Sequence, residues 1–315
     1  MIHKRILEFD LLRSIAVIWI VAIWHFSNYF STDTIVGHIN SDAFSRQTTF
    51  VVLSLFMFLS GLFTKTSFNN AKDIKTYYIK KAKRFYPLYL VAALTLYFTT
   101  IPFSMTFYSS ISQLLLSLLG VSSLLNNAPS TLWFMDMLMF LMIITPILTW
   151  KSNIIRRIIV MFVLFALIYV VSKKTNIVDF RFVRYTPFYF IGLLLTPKRF
   201  LILSNKYGMY AFLMVFLIML FKTHNLFIDM IAYACLIMGG GKCTCILSKI
   251  IGNAILIRFI GACSYSSMCA YFFHRQIYAI GIKLAIPIWI LPIIIFTISY
   301  FIQKKYDIIV NTKHE

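Results

Sequence analysis

Apolar runs recur along the chain at 11–30, 47–64, 85–101, 109–125, 131–150, 155–172, 185–197, 207–222, 226–240, 259–280 and 285–303, separated by short polar, mostly basic connections. Most of these runs are long enough to approach the ~20 helical residues that cross ~30 Å of hydrocarbon, and none shows the strict alternation of a barrel strand. The pattern predicts an all-α protein, a polytopic membrane helical bundle, with residues 1–315 forming a single domain. The run at 109–125 stands apart. Its several serines, Gln113 and lack of flanking charge suit an interfacial or re-entrant helix.

Charge decides between ten spans and eleven. With the N-terminus inside and 109–125 not crossing, 21 basic residues fall on the cytoplasmic side and 8 outside; if it crosses, the division becomes 16 against 13. Positive charge favours cytoplasmic loops, so the expectation is about ten transmembrane helices with both termini inside. Composition agrees with membrane residence: 60% of residues are hydrophobic and only 13% charged, and mean hydropathy is +0.82. The net charge of +20 is therefore read as orientation in the membrane, with no nucleic acid partner. The five cysteines lack metal-site spacing, and no metal is expected. The first apolar run has no small-residue cleavage site, so it is expected to remain in the mature protein.

The chemistry lies in ionisable residues placed within apolar runs, where their cost usually marks function. Arg13 opens the first run, and His25 sits about 18 Å further along it if the run is helical. A neutral imidazole in such surroundings is a candidate base. Its bland alternative is a hydrogen-bonded packing histidine, and for Arg13 a snorkelling charge paired with Glu8 or Asp10. Lys80, Lys81, Lys83 and Arg84 precede the third run, a place suited to a polyphosphate or to a plain orientation signal. Asp136 enters the fifth run and needs a partner, either His25 or Arg275. His274 and Arg275 close the penultimate run, while Lys173, Lys174, Arg181 and Arg184 form a basic outer loop suited to an anionic acceptor or to simple solvation.

In order along the chain, FDLLRSIAVIWIVAIWHF (9–26), LFMFLSGLF (55–63), KKAKRFYPLY (80–89), TLWFM (131–135), PFYFIGLLL (187–195) and CSYSSMCAYFFHRQIY (263–278) resemble the signatures of the acyltransferase 3 family, integral membrane O-acyltransferases of surface glycans. The resemblance implies acetyl-CoA or another acyl-CoA as donor from the cytoplasm, bound by Lys81, Arg84 and Tyr86. It implies His25, Arg13 and Asp136 as catalytic residues, and Trp133, Ser264, Tyr265, His274, Arg275, Arg181 and Arg184 at the acceptor. That acceptor would be a glycan or glycolipid hydroxyl at a bacterial cytoplasmic membrane, with lipids and a second copy of the chain as further partners. No extracytoplasmic esterase-like domain is expected beyond the last run. One departure stands out: the family's first motif has ten residues between Arg and His, and this chain has eleven. Twelve helical steps would place the two side chains ~120° apart, unless a π turn absorbs the extra residue or the two serve different parts of a pocket. The rival reading is an exporter or transporter without acyl chemistry.

Overall fold

The computed structural model describes the chain except residues 1–5, 31–32, 40, 65–66, 101–109, 126, 128, 130, 152, 176, 221–224 and 312–315. Lys4, Arg5, Lys65, Lys222 and Lys313 of the charge argument, with both chain ends, lie outside the described residues. Eleven main helices follow the apolar runs: α1 (Leu7–Ile18), α2 (Ala43–Leu62), α3 (Ala71–Thr100), α4 (Ile111–Leu118), α5 (Trp133–Thr149), α6 (Ile154–Thr175), α7 (Arg181–Leu194), α8 (Pro197–Leu220), α9 (Leu226–Ile250), α10 (Ala254–Lys283) and α11 (Leu291–Asn311). No strand occurs among the described residues.

Among the described residues six stretches are long and apolar enough to cross a membrane: Ala43–Leu62, Ile154–Thr175, Pro197–Ile218, Leu226–Ile250, Ala254–Lys283 and Ile288–Val310. The other runs are of different kinds. α5 has 17 residues and α7 only 14, about 21 Å of helix, and the first half of α3 is basic. α4 has eight residues, about 12 Å, and leads into a single 3₁₀ turn at Ser122–Leu125. Apolar side chains point outward on α6, where Phe162 is 70% exposed; such a face suits hydrocarbon better than water.

Helix directions follow from side-chain pairs. Tyr89 of α3 meets Asp136 of α5, and the Tyr77 hydroxyl donates to the Met142 carbonyl at 3.2 Å, so the two helices run antiparallel. α1 and α10 run parallel. Near their starts Ser14 donates to the Ile260 carbonyl (2.8 Å) and Ser264 to Asp10 (2.6 Å); near their ends His25 packs on His274 and Tyr278 reaches Val21.

The interior is rich in aromatic side chains, with Tyr89, Tyr185, Tyr189, Phe188 and Phe272 almost fully enclosed. α2 and α7 pack closely because glycines meet there. A Cβ on Gly61 would lie 2.2 Å from the Tyr189 carbonyl oxygen, and one on Gly192 would lie 2.2 Å from that of Phe58. These are the glycines of the LFMFLSGLF and PFYFIGLLL segments, and they allow the backbone approach typical of membrane helices.

Candidate active site

A cavity of about 750 Å³ opens among the start of α1, the end of α2, the basic part of α3, α5, the middle of α10 and the end of α11. Arg13, Lys81 and Arg84 all line it. The Arg13 guanidinium stands over the Phe63 ring at 4.6 Å. Lys81 reaches Thr64 Oγ1 at 3.4 Å, and its pKa is pushed down to about 8 by burial and by neighbouring Arg84. Two carboxylates also line the cavity, each engaged by neutral donors: Asp10 accepts from Ser264, while Asp307 accepts from Tyr265 and from Gln303 (2.8 Å). The chamber thus gathers three cations, an arrangement that recognises phosphate or carboxylate.

Met135, Leu138 and Met142 line one apolar wall, and Tyr271 belongs to the lining as well. The Tyr271 hydroxyl donates to the Thr131 carbonyl at 2.9 Å, and its ring centroid lies 5.9 Å from that of His274. Beyond it the rings of His25 and His274 stack, 4.6 Å between centroids and 31° apart in plane. His274 is fully buried, and its Nδ1 lies 2.8 Å from the Tyr271 carbonyl. A carbonyl accepts only, so Nδ1 carries the proton and Nε2 the lone pair. The Asn28 amide approaches His25 Nδ1 at 3.4 Å.

His25 reaches this position through a local change of helix type. From Trp19 to Trp24 the first helix is a π helix, and the His25 N–H bonds the Ile20 carbonyl, five residues back. An α-helix would have used Val21 instead; the Val21 carbonyl accepts from the Tyr278 hydroxyl at 2.9 Å. The wider turn takes up one residue, so twelve steps rotate like eleven, about 20° from three full turns. The structure has the π turn, and it also places Arg13 on the basic cavity and His25 beyond that cavity's lining.

The other residues singled out in the sequence divide between the two ends of the molecule. Ser264 and Tyr265 line the basic cavity, while His274 and Arg275 lie about 15 Å further along α10 with His25. Tyr86 is absent from the cavity wall; its hydroxyl donates to the Leu118 carbonyl at 2.8 Å and ties α3 to α4. Asp136 partners neither His25 nor Arg275, but accepts from the Tyr89 and Ser122 hydroxyls. Arg181 pairs with Asp179 and covers the Trp133 ring at 4.3 Å, and Arg184 covers Phe50 at 4.0 Å. Tyr271, Tyr278 and Tyr29 were not singled out, although the first two flank His274 within one motif. Nothing local marks a tyrosine that contacts a helix some 250 residues away.

A bundle of apolar helices around a cationic chamber, with an imidazole pair beyond its far wall, fits an integral membrane protein. Residues 6–302 match the family model described as an acyltransferase domain, and the chain belongs to the acyltransferase 3 family. It is a membrane acyltransferase. No curated protein and no solved structure matches it.

Proposed function

We propose that the protein moves an acyl group, acetyl in the first instance, from cytoplasmic acyl-CoA to a hydroxyl of a surface polysaccharide or glycolipid precursor at a bacterial cytoplasmic membrane. The observation that carries this reading is the convergence of Arg13, Lys81 and Arg84 on one cavity whose lining includes Tyr271, the residue next to the His25–His274 pair. Phosphates of the donor bind the three cations, and the thioester extends past Tyr271 toward the imidazoles. His25 takes the acceptor's proton as its oxygen attacks the thioester carbonyl, a contribution typically worth ~10²–10⁴-fold.

The topology proposed with it has ten spans and both termini in the cytoplasm. Two observations support this. α3 and α5 run antiparallel, as they must if the connection between them makes no net crossing, and α4 is too short to make one. α1 and α10 run parallel, as the first and ninth spans of such a chain do. The cationic cavity then opens on the cytoplasmic side, where acyl-CoA is made.

Purified protein in lipid, given labelled acetyl-CoA and membrane glycan extracts, tests the proposal. Glycan labelling that disappears in His25→Ala supports it. Absence of labelling with acetyl, succinyl and longer donors, in folded protein, returns the chain to the transporter reading.

A further inference from the structure

The residues around His25 leave one charge unanswered. Arg275 follows His274 on α10 and is the charged group that acts most strongly on His25. Among the described residues it has no ion-pair partner, and its buried Nε has no acceptor. The Tyr29 hydroxyl lies beside the guanidinium, equally buried and without a well-formed hydrogen bond. Neutral or basic side chains stand beside this pair: the Tyr278 ring lies 4.8 Å from that of Tyr29, and His25, His274 and Tyr271 are close by. His274 supplies no negative charge, because its Nδ1 proton is committed to a backbone carbonyl and its Nε2 lone pair is unused.

A guanidinium can only donate, and a buried phenol needs an acceptor for its proton. Two such donors side by side, next to the candidate base and with no ion pair among the described residues, want an anionic oxygen that those residues do not provide. An unmatched cation at membrane depth is costly and marks a site. The proposed reaction creates such an oxygen next to the base.

We propose that Arg275 and Tyr29 form the seat of the oxyanion in acyl transfer, a reading that rests on the acyltransferase function proposed above. As the acceptor oxygen bonds to the thioester carbon, its proton passes to His25 and the carbonyl electron pair moves onto oxygen, between Arg275 Nε–H and Tyr29 Oη–H. Collapse restores the carbonyl, breaks the C–S bond and releases coenzyme A, whose sulfur takes the proton back from His25. Donors fixed in a dry site stabilise charge that exists only in the transition state, so they raise kcat more than they tighten ground-state binding.

The test compares wild type, Tyr29→Phe, Arg275→Gln and Arg275→Lys in vesicles, with kcat and both KM values measured and binding of a non-transferable thioether analogue of acetyl-CoA as the check on folding. The expected result is a fall in kcat of about 10²–10³-fold in Arg275→Gln, with both KM values within about twofold and partial recovery in Arg275→Lys. Tyr29→Phe, which preserves shape, should also lose kcat and carries the test if Arg275→Gln no longer binds the analogue. A raised acceptor KM at unchanged kcat would make Arg275 a binding site for an anionic acceptor and overturn the oxyanion assignment; wild-type rates in both Tyr29→Phe and Arg275→Gln would overturn it as well. Wild-type protein that binds the analogue yet transfers no acyl group would defeat the acyltransferase reading itself, and this inference with it.

Discussion

The hydroxyl of Tyr278 donates to the carbonyl of Val21, the one backbone acceptor that the π turn in the first helix takes from the His25 N–H. The bond joins α10 to the first helix at the point where the latter departs from α geometry. Losing it removes a hydrogen bond from an apolar interior, at a cost of about 0.5–1.5 kcal/mol.

Tyr278→Phe should therefore retain folding but lower transfer by roughly tenfold, as His25 loses its fixed orientation. Deleting Ala22 should remove the need for the π turn and keep more activity than inserting an alanine after Ala22, which turns His25 by a further ~100°. Acyl-transfer rates of the three variants decide the point; equal losses from the deletion and the insertion would detach the π turn from function.

Lys81 precedes the membrane-crossing part of α3 and lies beside Arg84, with a pKa near 8. Its protonated form binds a phosphate, so donor affinity should be full below about pH 8 and weaken as pH rises through that value. The apparent donor KM measured from pH 6.5 to 9.5 should climb on the alkaline side. In Lys81→Arg, whose charge persists, that climb should flatten.

Gly61→Ala and Gly192→Ala each push a methyl group into a facing backbone carbonyl at 2.2 Å. Neither carbonyl is the end of a flexible side chain, so α2 and α7 must separate. Each variant should lose about 1–3 kcal/mol of stability, read as a lowered melting temperature in detergent. Unchanged melting would show that the two helices can slide apart freely.

Tyr271 stands between the cationic cavity and the imidazole pair, held by its bond to Thr131. Tyr271→Ala should open the wall to water and raise donor hydrolysis in the absence of acceptor, while Tyr271→Phe should leave hydrolysis near wild type. Free thiol release measured without acceptor separates the two outcomes.

In a cysteine-free background, cysteines at Asn127 and Asn153 lie at opposite ends of α5. An impermeant reagent added from outside should label the first and spare the second. The reverse pattern would invert the proposed topology.

The sequence carried much of the site's basic end. Arg13, Lys81 and Arg84 announce themselves because arginine and lysine beside apolar runs are rare and conspicuous, and the chain folds them into one chamber. The contact between His25 and His274 was not legible, since periodicity says which face a residue occupies and nothing about which of ten other helices it faces. Asp136 shows the same limit. Its side-chain partners are hydroxyls, Tyr89 and Ser122, and hydroxyl residues are too common in the sequence to suggest a pairing with a particular carboxylate. Tyr86 misled for a related reason: it shares the basic segment, yet neighbours in a helix point to different sides, and its side chain turns toward α4.

The π turn also has a bearing on descent. An added residue in a packed helix survives when something nearby absorbs its geometric effect, and here Tyr278 supplies the missing donor. Insertion and tyrosine should thus behave as a linked pair of characters: relatives with eleven residues between the arginine and histidine would keep a hydroxyl donor four positions after the second histidine, and relatives with ten would be free to lose it.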